Sequence, residues 1–271
     1  MKNLPQRILI SSAFIAVIGF ILFRGGELWF SVMVSAFVAC ASFEFFSLLR
    51  NKKVPSFRFF GVAIAIALPI LVFLEQGLTQ SGEVLFLILA CLFLFLLQFT
   101  RTDNEDALVG IALTLFGILY VGWFMSFFVK MRFLPGGEYW IAYLIAVTKA
   151  GDIGAYIFGS LLGRRKLIAH ISPNKTVEGL FGGLFLSLVT AVGLRSCLPI
   201  QFEVLHLLML GMIIGILGQI GDLSESLMKR FCHAKDSGVW LPGVGGVLDT
   251  VDSVLFTAPI FYFHLKIFYM Q

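Results

Sequence analysis

Nine apolar runs dominate the pattern of hydrophobic and polar positions along this chain of 271 residues. Each is continuous enough for a membrane-crossing helix, although several hold only about 16 residues, fewer than the ~20 that a crossing usually takes. They lie at 8–23, 28–49, 59–74, 84–99, 107–129, 139–161, 179–198, 204–220 and 253–270. The pattern predicts an all-α integral membrane protein with about nine transmembrane helices.

Composition supports this interpretation, because 59% of the residues are hydrophobic and only 13% are charged. Soluble domains are closer to 25% charged. No small-residue cleavage site follows the first run, so we interpret it as a retained helix and not as a signal peptide. With no linker or internal repeat, we expect residues 1–271 to form a single multi-pass membrane domain. Its N-terminal spans would cover about 8–129, and a C-terminal region at about 139–270 would carry the chemistry.

The distribution of Lys and Arg predicts the orientation in the membrane. With a cytoplasmic N-terminus and nine crossings, 14 of the 20 cations fall in inside segments, 4 fall in outside loops, and Lys149 and Lys266 lie within runs. The C-terminus would then lie outside, and the polar connections 162–178 and 221–252 would face the cytoplasm. Because loop placement explains the net charge of +4, that charge does not indicate nucleic-acid binding.

The segment 221–252, GDLSESLMKRFCHAKDSGVWLPGVGGVLDTVD, is the longest polar block in the chain. Ionisable groups near a bilayer are costly to keep and often mark a functional site. If the eighth helix continues past Gly221, then Asp222, Glu225, Ser226 and Lys229 share one helix face. Carboxylates, cations and glycines together suggest phosphate ligands and a divalent metal. This block is the first candidate site region.

Asp249 and Asp252 sit one helical turn apart where the last run begins. Two such carboxylates can share a divalent cation, with Asp222 reaching in from the neighbouring helix. A simpler explanation is an N-cap for Asp249 and a favourable helix-dipole charge for Asp252. The surrounding block favours metal binding. The nearby glycines, including Gly245 and Gly246, would let backbone amides approach a polyphosphate closely.

A second polar region runs from Lys149 to Gly183. Asp152 lies inside an apolar run, where it either pairs with Lys149 on the same helix face or lines a polar cavity near the cytoplasmic mouth. The segment Ser172–Thr176 places short hydrogen-bonding side chains around Lys175 just before a helix, as a phosphate site would. The alternative is a capping box, with Lys175 or Thr176 near the N-cap and Glu178 close behind.

These residues together resemble the phosphatidate cytidylyltransferases, also called CDP-diacylglycerol synthases. The run Ser226-Leu-Met-Lys-Arg-x4-Lys235-Asp236-Ser-Gly-x2-Leu-Pro242-Gly-Val-Gly-Gly-x2-Asp249-x2-Asp252 is similar to the C-terminal signature of that family. Asp152-Ile-Gly-Ala-Tyr156, Gly163-Arg164 and Ser172-Pro-Asn-Lys-Thr-x-Glu178-Gly are similar to its second motif set. The match is dense over about 149–252, whereas the N-terminal spans agree only in character.

The resemblance implies an enzyme that converts CTP and phosphatidate to CDP-diacylglycerol and pyrophosphate, a step of phospholipid biosynthesis. It also implies a requirement for Mg²⁺, a nearby monovalent cation such as K⁺, about nine transmembrane helices around a polar cavity at the cytoplasmic face, and often a homodimer. The compact chain is more similar to bacterial members, which implies the plasma (inner) membrane. CTP, phosphatidate and membrane lipid would be its partners.

The resemblance also assigns roles by position. The aspartates that match Asp222 and Asp249 are implied metal ligands, and we add Asp252. We expect phosphates to contact Lys175, Lys235 and Ser172, and Asp152 to support the cavity or to order a lysine. The expected catalytic residues are Lys175, Lys235, Asp236 and Asp152. The expected substrate-binding residues are Ser172, Asn174, Thr176, Ser226, Lys229, Gly245 and Gly246.

Two positions depart from the family pattern, since Val244 stands where His is usual and Thr250 stands where Arg is usual. The carboxylates, lysines and glycines are intact, so we expect an active enzyme. The alternatives are a CTP-dependent lipid or polyprenol kinase and, from a different class, an ion-coupled membrane transporter. Transporters tend to show internal repeats and midplane charges. The clustering of charge at one face therefore favours an enzyme.

Overall fold

The computed structural model describes residues 4–76, 80–101, 105–238 and 245–269. The described chain is predominantly helical, and every one of the nine apolar runs coincides with a helix, which confirms the all-α membrane fold class. The helices are α1 (Leu4–Arg24), α2 (Gly26–Asn51), α3 (Arg58–Leu74), α4 (Gln80–Phe99), α5 (Ala107–Gly117), α6 (Phe124–Arg132), α7 (Gly137–Leu162), α8 (Val177–Gly193), α9 (Val204–Phe231) and α10 (Val247–Tyr269).

Within the described residues, six helices are long and apolar enough to cross a membrane. These are Gly26–Asn51, Gly82–Phe99, Ala107–Arg132, Gly137–Leu162, Val204–Phe231 and Val247–Phe268. The third of them joins α5 and α6 through a π-helical turn, Ile118–Trp123. Shorter apolar helices lie at Ile15–Arg24, Arg58–Leu74 and Val177–Gly193. Nine crossings therefore stay a prediction.

The chain divides into two compact units. Unit 1 consists of Met1–Phe133 and Asp236–Thr250, and unit 2 consists of Leu134–Lys235 and Val251–Gln271. In unit 1, α2 packs along α3, and α3 packs against the π-helical turn. In unit 2, α7 packs along α8, and α8 packs along α9. This division does not test the prediction that residues 1–271 form a single membrane domain.

Small residues allow the two helices that carry the second motif region to approach closely. A Cβ atom at Gly154 of α7 would lie 2.5 Å from the carbonyl oxygen of Gly182 in α8, and one at Gly183 would lie 2.9 Å from the carbonyl oxygen of Gly151. Close approach at small residues is a common basis of helix packing inside membranes. The glycines at the start of α8 therefore bring α8 against α7.

A short antiparallel hairpin joins α7 to α8 in unit 2. Its strands are β1 (Lys166–Ile168) and β2 (Ser172–Thr176), and Ile168 pairs with Ser172. The sequence predicts only a polar connection here. Three- and five-residue strands with few apolar side chains leave too short a pattern to recognise. The hairpin fixes the position of the motif segment that precedes α8.

Candidate functional site

The two motif regions meet in unit 2. Nζ of Lys175, on strand β2, lies 2.7 Å from Oδ2 of Asp222, on helix α9. Helix α9 continues to Phe231, as the spacing of its polar residues predicts, and this places Asp222 within regular helix. Arg230 adds a second link, because its Nε donates to the carbonyl oxygen of Ile171 in the hairpin turn at 3.2 Å. These contacts hold the hairpin against the C-terminal end of α9, which the sequence predicts to face the cytoplasm.

A second polar contact joins α7 to α10. Nζ of Lys149 lies 2.9 Å from Oδ2 of Asp152, so the local pair considered from the sequence does form. Ser253 of α10 bridges the same pair, since its Oγ accepts from Lys149 at 2.9 Å and donates to Asp152 at 3.0 Å. Both charged side chains stay about one-third exposed. The pair is therefore structural and also accessible to a ligand.

Asp252 is the most buried carboxylate of this group, with only 6% of the residue exposed. It lies within electrostatic reach of Asp222, Asp152 and Lys149. A Cβ atom at Gly221 would overlap the carbonyl oxygen of Asp252, so glycine is what lets α9 and α10 approach at this point. Asp222 and Asp252 are thirty positions apart in the sequence, and the close approach at Gly221 brings them near each other.

Within the described residues, the carboxylate of Asp252 accepts one hydrogen bond. Oδ1 accepts from the backbone N–H of Ser253, and within the described residues the side chain has no ion pair. A buried carboxylate without a cation is costly. Mg²⁺ is commonly held by one or two carboxylates together with substrate phosphates. Asp222 and Asp252 fit such an ion, although the described ranges hold no group of three or more His, Cys, Asp or Glu placed to bind a metal.

Thr176 is the N-cap of α8. Its Oγ1 accepts from the backbone N–H of Gly179 at 3.1 Å, and its backbone is extended, with φ −124° and ψ 157°. A capping box would also need an acidic or amide side chain that returns to the N-cap N–H. Glu178 instead accepts from the backbone N–H of Arg164 at 3.0 Å. Capping by Thr176 is therefore observed without a capping box.

Glu178 fixes the chain between α7 and β1. Besides the bond from Arg164, its carboxylate accepts from the backbone N–H of Arg165. The N–H of Arg164, and then the other backbone donors and the Arg165 charge, lower the pKa of Glu178 below its ordinary value near 4.5. This carboxylate is therefore ionised at neutral pH and positions the start of the hairpin.

Asp249 belongs to unit 1 and lies in the first turn of α10. Its Oδ2 accepts from the backbone N–H of Gly246 at 2.8 Å and from that of Ser237 at 3.1 Å. These bonds hold Ser237 and Gly246 against the first turn of α10. Gly245 has φ +111°, a conformation that residues with a side chain rarely adopt. The metal role of Asp249 and the substrate role of Gly245 and Gly246 remain predictions.

Glu44 of α2 contacts residues of the C-terminal signature within unit 1, and the sequence did not predict this contact. Only 1% of Glu44 is exposed, and its carboxylate accepts from Ser237 Oγ at 3.1 Å, Val247 N at 3.0 Å and Leu248 N at 2.8 Å. The available signal was a lone acidic residue inside the apolar run 28–49, which is expensive unless it has a partner. Its partners lie about two hundred positions further along the chain, where no local pattern indicates them.

The other predicted site residues occupy less constrained positions. Ser172 is half-buried and Asn174 is exposed on β2. Ser226 is half-buried on α9, where Lys229 pairs with the fully buried Glu225. Lys235 and Asp236 are exposed. Thr250 donates through Oγ1 to the carbonyl oxygen of Gly246 at 3.1 Å, and Val244 lies outside the described residues.

Unit 1 also contains a cavity of about 580 Å³. Its described lining includes the cations Arg50, Lys53, Arg58 and Arg101. All four cations belong to segments that the sequence predicts to be cytoplasmic, and topology-setting charge explains them. The candidate site is the carboxylate and lysine cluster of unit 2.

Comparison with known proteins gives matches over almost the whole chain. A model of the Cytidylyltransferase family matches residues 5–268. A phosphatidate cytidylyltransferase of Bacillus subtilis is 35% identical over 277 residues, covering 99% of this chain and all of the relative. Proteins of the same name from Staphylococcus aureus and Staphylococcus epidermidis are 35% and 34% identical, each covering 92% of this chain and 95% of the relative.

Proposed function

The chain belongs to the cytidylyltransferase family, and from this we propose that it transfers the cytidylyl group of CTP to phosphatidate, giving CDP-diacylglycerol and pyrophosphate. The observation that carries the proposal is the meeting of both signature regions at the Lys175–Asp222 ion pair. That cluster offers carboxylates for a divalent metal beside lysines for phosphate. It belongs to a chain whose helices suit a lipid substrate.

The reaction needs little acid–base chemistry from the protein. A phosphate monoester oxygen of phosphatidate attacks the α-phosphorus of CTP, and the bond from that phosphorus to the bridging oxygen of the β-phosphate breaks. Because the second pKa of a phosphate monoester lies near 6, the nucleophile is already an anion at neutral pH. The main barrier is the approach of one anion to another, which positioning and neutralising charge reduce.

The cluster can neutralise that charge. Lys175 and Lys149 are each held by an aspartate that fixes the ammonium position. We assign Lys175 to the phosphates of CTP, with Ser172 beside it on β2. Lys235 and Asp236 are exposed, and their contacts with the substrates stay predictions. Asp152 orders Lys149. Substrate phosphate would exchange with Asp222 as the partner of Lys175, which frees the carboxylate of Asp222.

Asp222 and Asp252 would hold Mg²⁺ in this proposal. A metal role for Asp249, which belongs to unit 1, stays a prediction of the family resemblance. A bound Mg²⁺ supplies positive charge for the phosphate oxygens and the departing pyrophosphate. A monovalent cation such as K⁺ near the site, and a homodimer, remain predictions of the family resemblance. The proposed orientation has the N-terminus and the site in the cytoplasm and the C-terminus outside, in a bacterial plasma membrane.

The direct test is pyrophosphate release by the purified protein with CTP, phosphatidate and Mg²⁺, with CDP-diacylglycerol identified as the lipid product. We expect Lys175→Met to lower kcat/KM for CTP at least about a hundredfold, which is about 2.7 kcal/mol. Lys166→Met, an exposed lysine on strand β1 of the same hairpin, is the matched control. Release of CDP together with a phosphorylated lipid would identify a kinase and refute the proposal.

A further inference from the structure

We propose that Glu44 is a positioning residue of the transferase reaction, holding Ser237, Gly238 and the first turn of α10 in place. The proposal rests on the proposed function for its kinetic consequences. Its structural basis lies entirely within unit 1, in contacts between α2 and the residues at both ends of the segment 237–248.

The first observation is the way in which Glu44 is satisfied. Oε1 accepts from the N–H of Val247, while Oε2 accepts from the N–H of Leu248 and from Oγ of Ser237. The first amides of a helix have no partner within that helix and attract anions. Glu44 therefore occupies the N-terminus of α10 as a buried internal anion. Those two amides are not free to bind a phosphate.

The second observation concerns two glycines of the signature. A Cβ atom at Gly238 would overlap the carboxylate of Glu44, and a Cβ atom at Gly246 would overlap Ser237 Oγ and lie 2.5 Å from Glu44 Oε2. Both glycines have negative φ, so close approach and not backbone conformation makes glycine necessary here. A residue of α2 thus explains part of a motif two hundred positions away.

The third observation is the neighbouring carboxylate. Asp249 accepts from the N–H groups of Ser237 and Gly246, the residues adjacent to the Glu44 contacts. Glu44 and Asp249 therefore both bond to Ser237 and to the start of α10. Displacement of Ser237 or of the first turn of α10 would move Asp249, a predicted metal ligand. Glu44 would act on the reaction through this segment, without touching substrate.

The decisive substitution is Glu44→Gln, which keeps the shape but not the pattern of acceptors. One oxygen can still accept from two donors, but the new NH₂ group faces a donor and leaves at least one amide unsatisfied. Glu27→Gln, at the exposed start of the same helix, is the matched control. Hydrogen exchange of the ligand-free protein should accelerate at residues 236–250 in Glu44→Gln, with α2 and α3 unchanged.

In kinetics we expect Glu44→Gln to lower kcat at least tenfold and to raise the Mg²⁺ concentration for half-maximal activity, while KM for CTP changes less than threefold. Glu27→Gln should match the parent protein. Equal acceleration of exchange throughout unit 1, or unchanged exchange at 236–250, would overturn the positioning role. If the parent protein releases no pyrophosphate, the proposed function fails while the exchange experiment still decides on Glu44.

A double-mutant cycle gives an independent test. The Gly238→Ala variant alone should have a severely lowered kcat, because the added Cβ has no room beside the carboxylate of Glu44. In a Glu44→Ala background the carboxylate is absent, so adding Gly238→Ala should lower kcat by less than a further twofold. Contacting residues show such non-additivity. Equal losses in both backgrounds would contradict the assigned contact.

Discussion

Asp249 and Asp252 lie three residues apart on α10 and make different contacts. Asp249 accepts from the backbone N–H groups of Ser237 and Gly246, whereas the buried Asp252 accepts from the backbone N–H of its neighbour Ser253. The amide contacts of Asp249 would suit an anchor for the segment, and its charge would suit a metal ligand. Shape-matched substitution separates these two roles.

Asp249→Asn should lower turnover at saturating CTP at least about a hundredfold, or about 2.7 kcal/mol, while leaving the melting temperature nearly unchanged. Asn retains an oxygen that can accept the amide bonds but loses the charge that a metal requires. Asp106→Asn, at the exposed start of α5 without a side-chain cap bond, is the control. Near-normal turnover would refute the metal role and would leave Asp249 as an anchor whose amide bonds Asn preserves.

At the scale of elements, apolar continuity placed a helix at each of the nine runs, because a membrane helix carries its signal in each residue. It did not predict the π-helical turn that divides the run 107–129. The polar elements gave no comparable signal. The hairpin at Lys166–Thr176 has strands of three and five residues, and its position depends on Glu178 and on Lys175 with Asp222. The contacts of Glu44 could not be predicted either, since they join residues 193 or more positions apart. Long-range polar contacts follow from packing.

The hairpin gives a prediction with a defined pH dependence. The lowered pKa of Glu178 means that its contribution to stability is fully present above about pH 4.5 and is lost as pH falls through the lowered pKa. Glu178→Gln should therefore melt at a lower temperature than the parent protein between pH 5.5 and 8, with a constant difference. That difference should shrink below pH 4. A difference that grew on acidification would contradict the contacts to Arg164 and Arg165.

At the scale of the whole molecule, the cation distribution predicts which loops face the cytoplasm. In a variant without native cysteines, His170→Cys in the exposed hairpin turn should react with a membrane-impermeant thiol reagent only after the inner face is opened. Glu203→Cys, exposed just before α9, should react in intact cells. The two sites belong to the same unit and serve as each other's control. The reverse pattern would overturn the proposed orientation.

The short length of helix α3 predicts the bilayer thickness at which the protein is most active. Its 17 residues extend about 26 Å, whereas the hydrocarbon layer of a typical bilayer is about 30 Å thick. If α3 crosses, as the nine-run pattern predicts, the surrounding lipid must thin by several ångströms, at a fraction of a kcal/mol per ångström. Turnover in vesicles at a fixed phosphatidate fraction should therefore be highest with short monounsaturated acyl chains and decline as they lengthen. A rate that rises with chain length would show that α3 does not set the local thickness of the membrane.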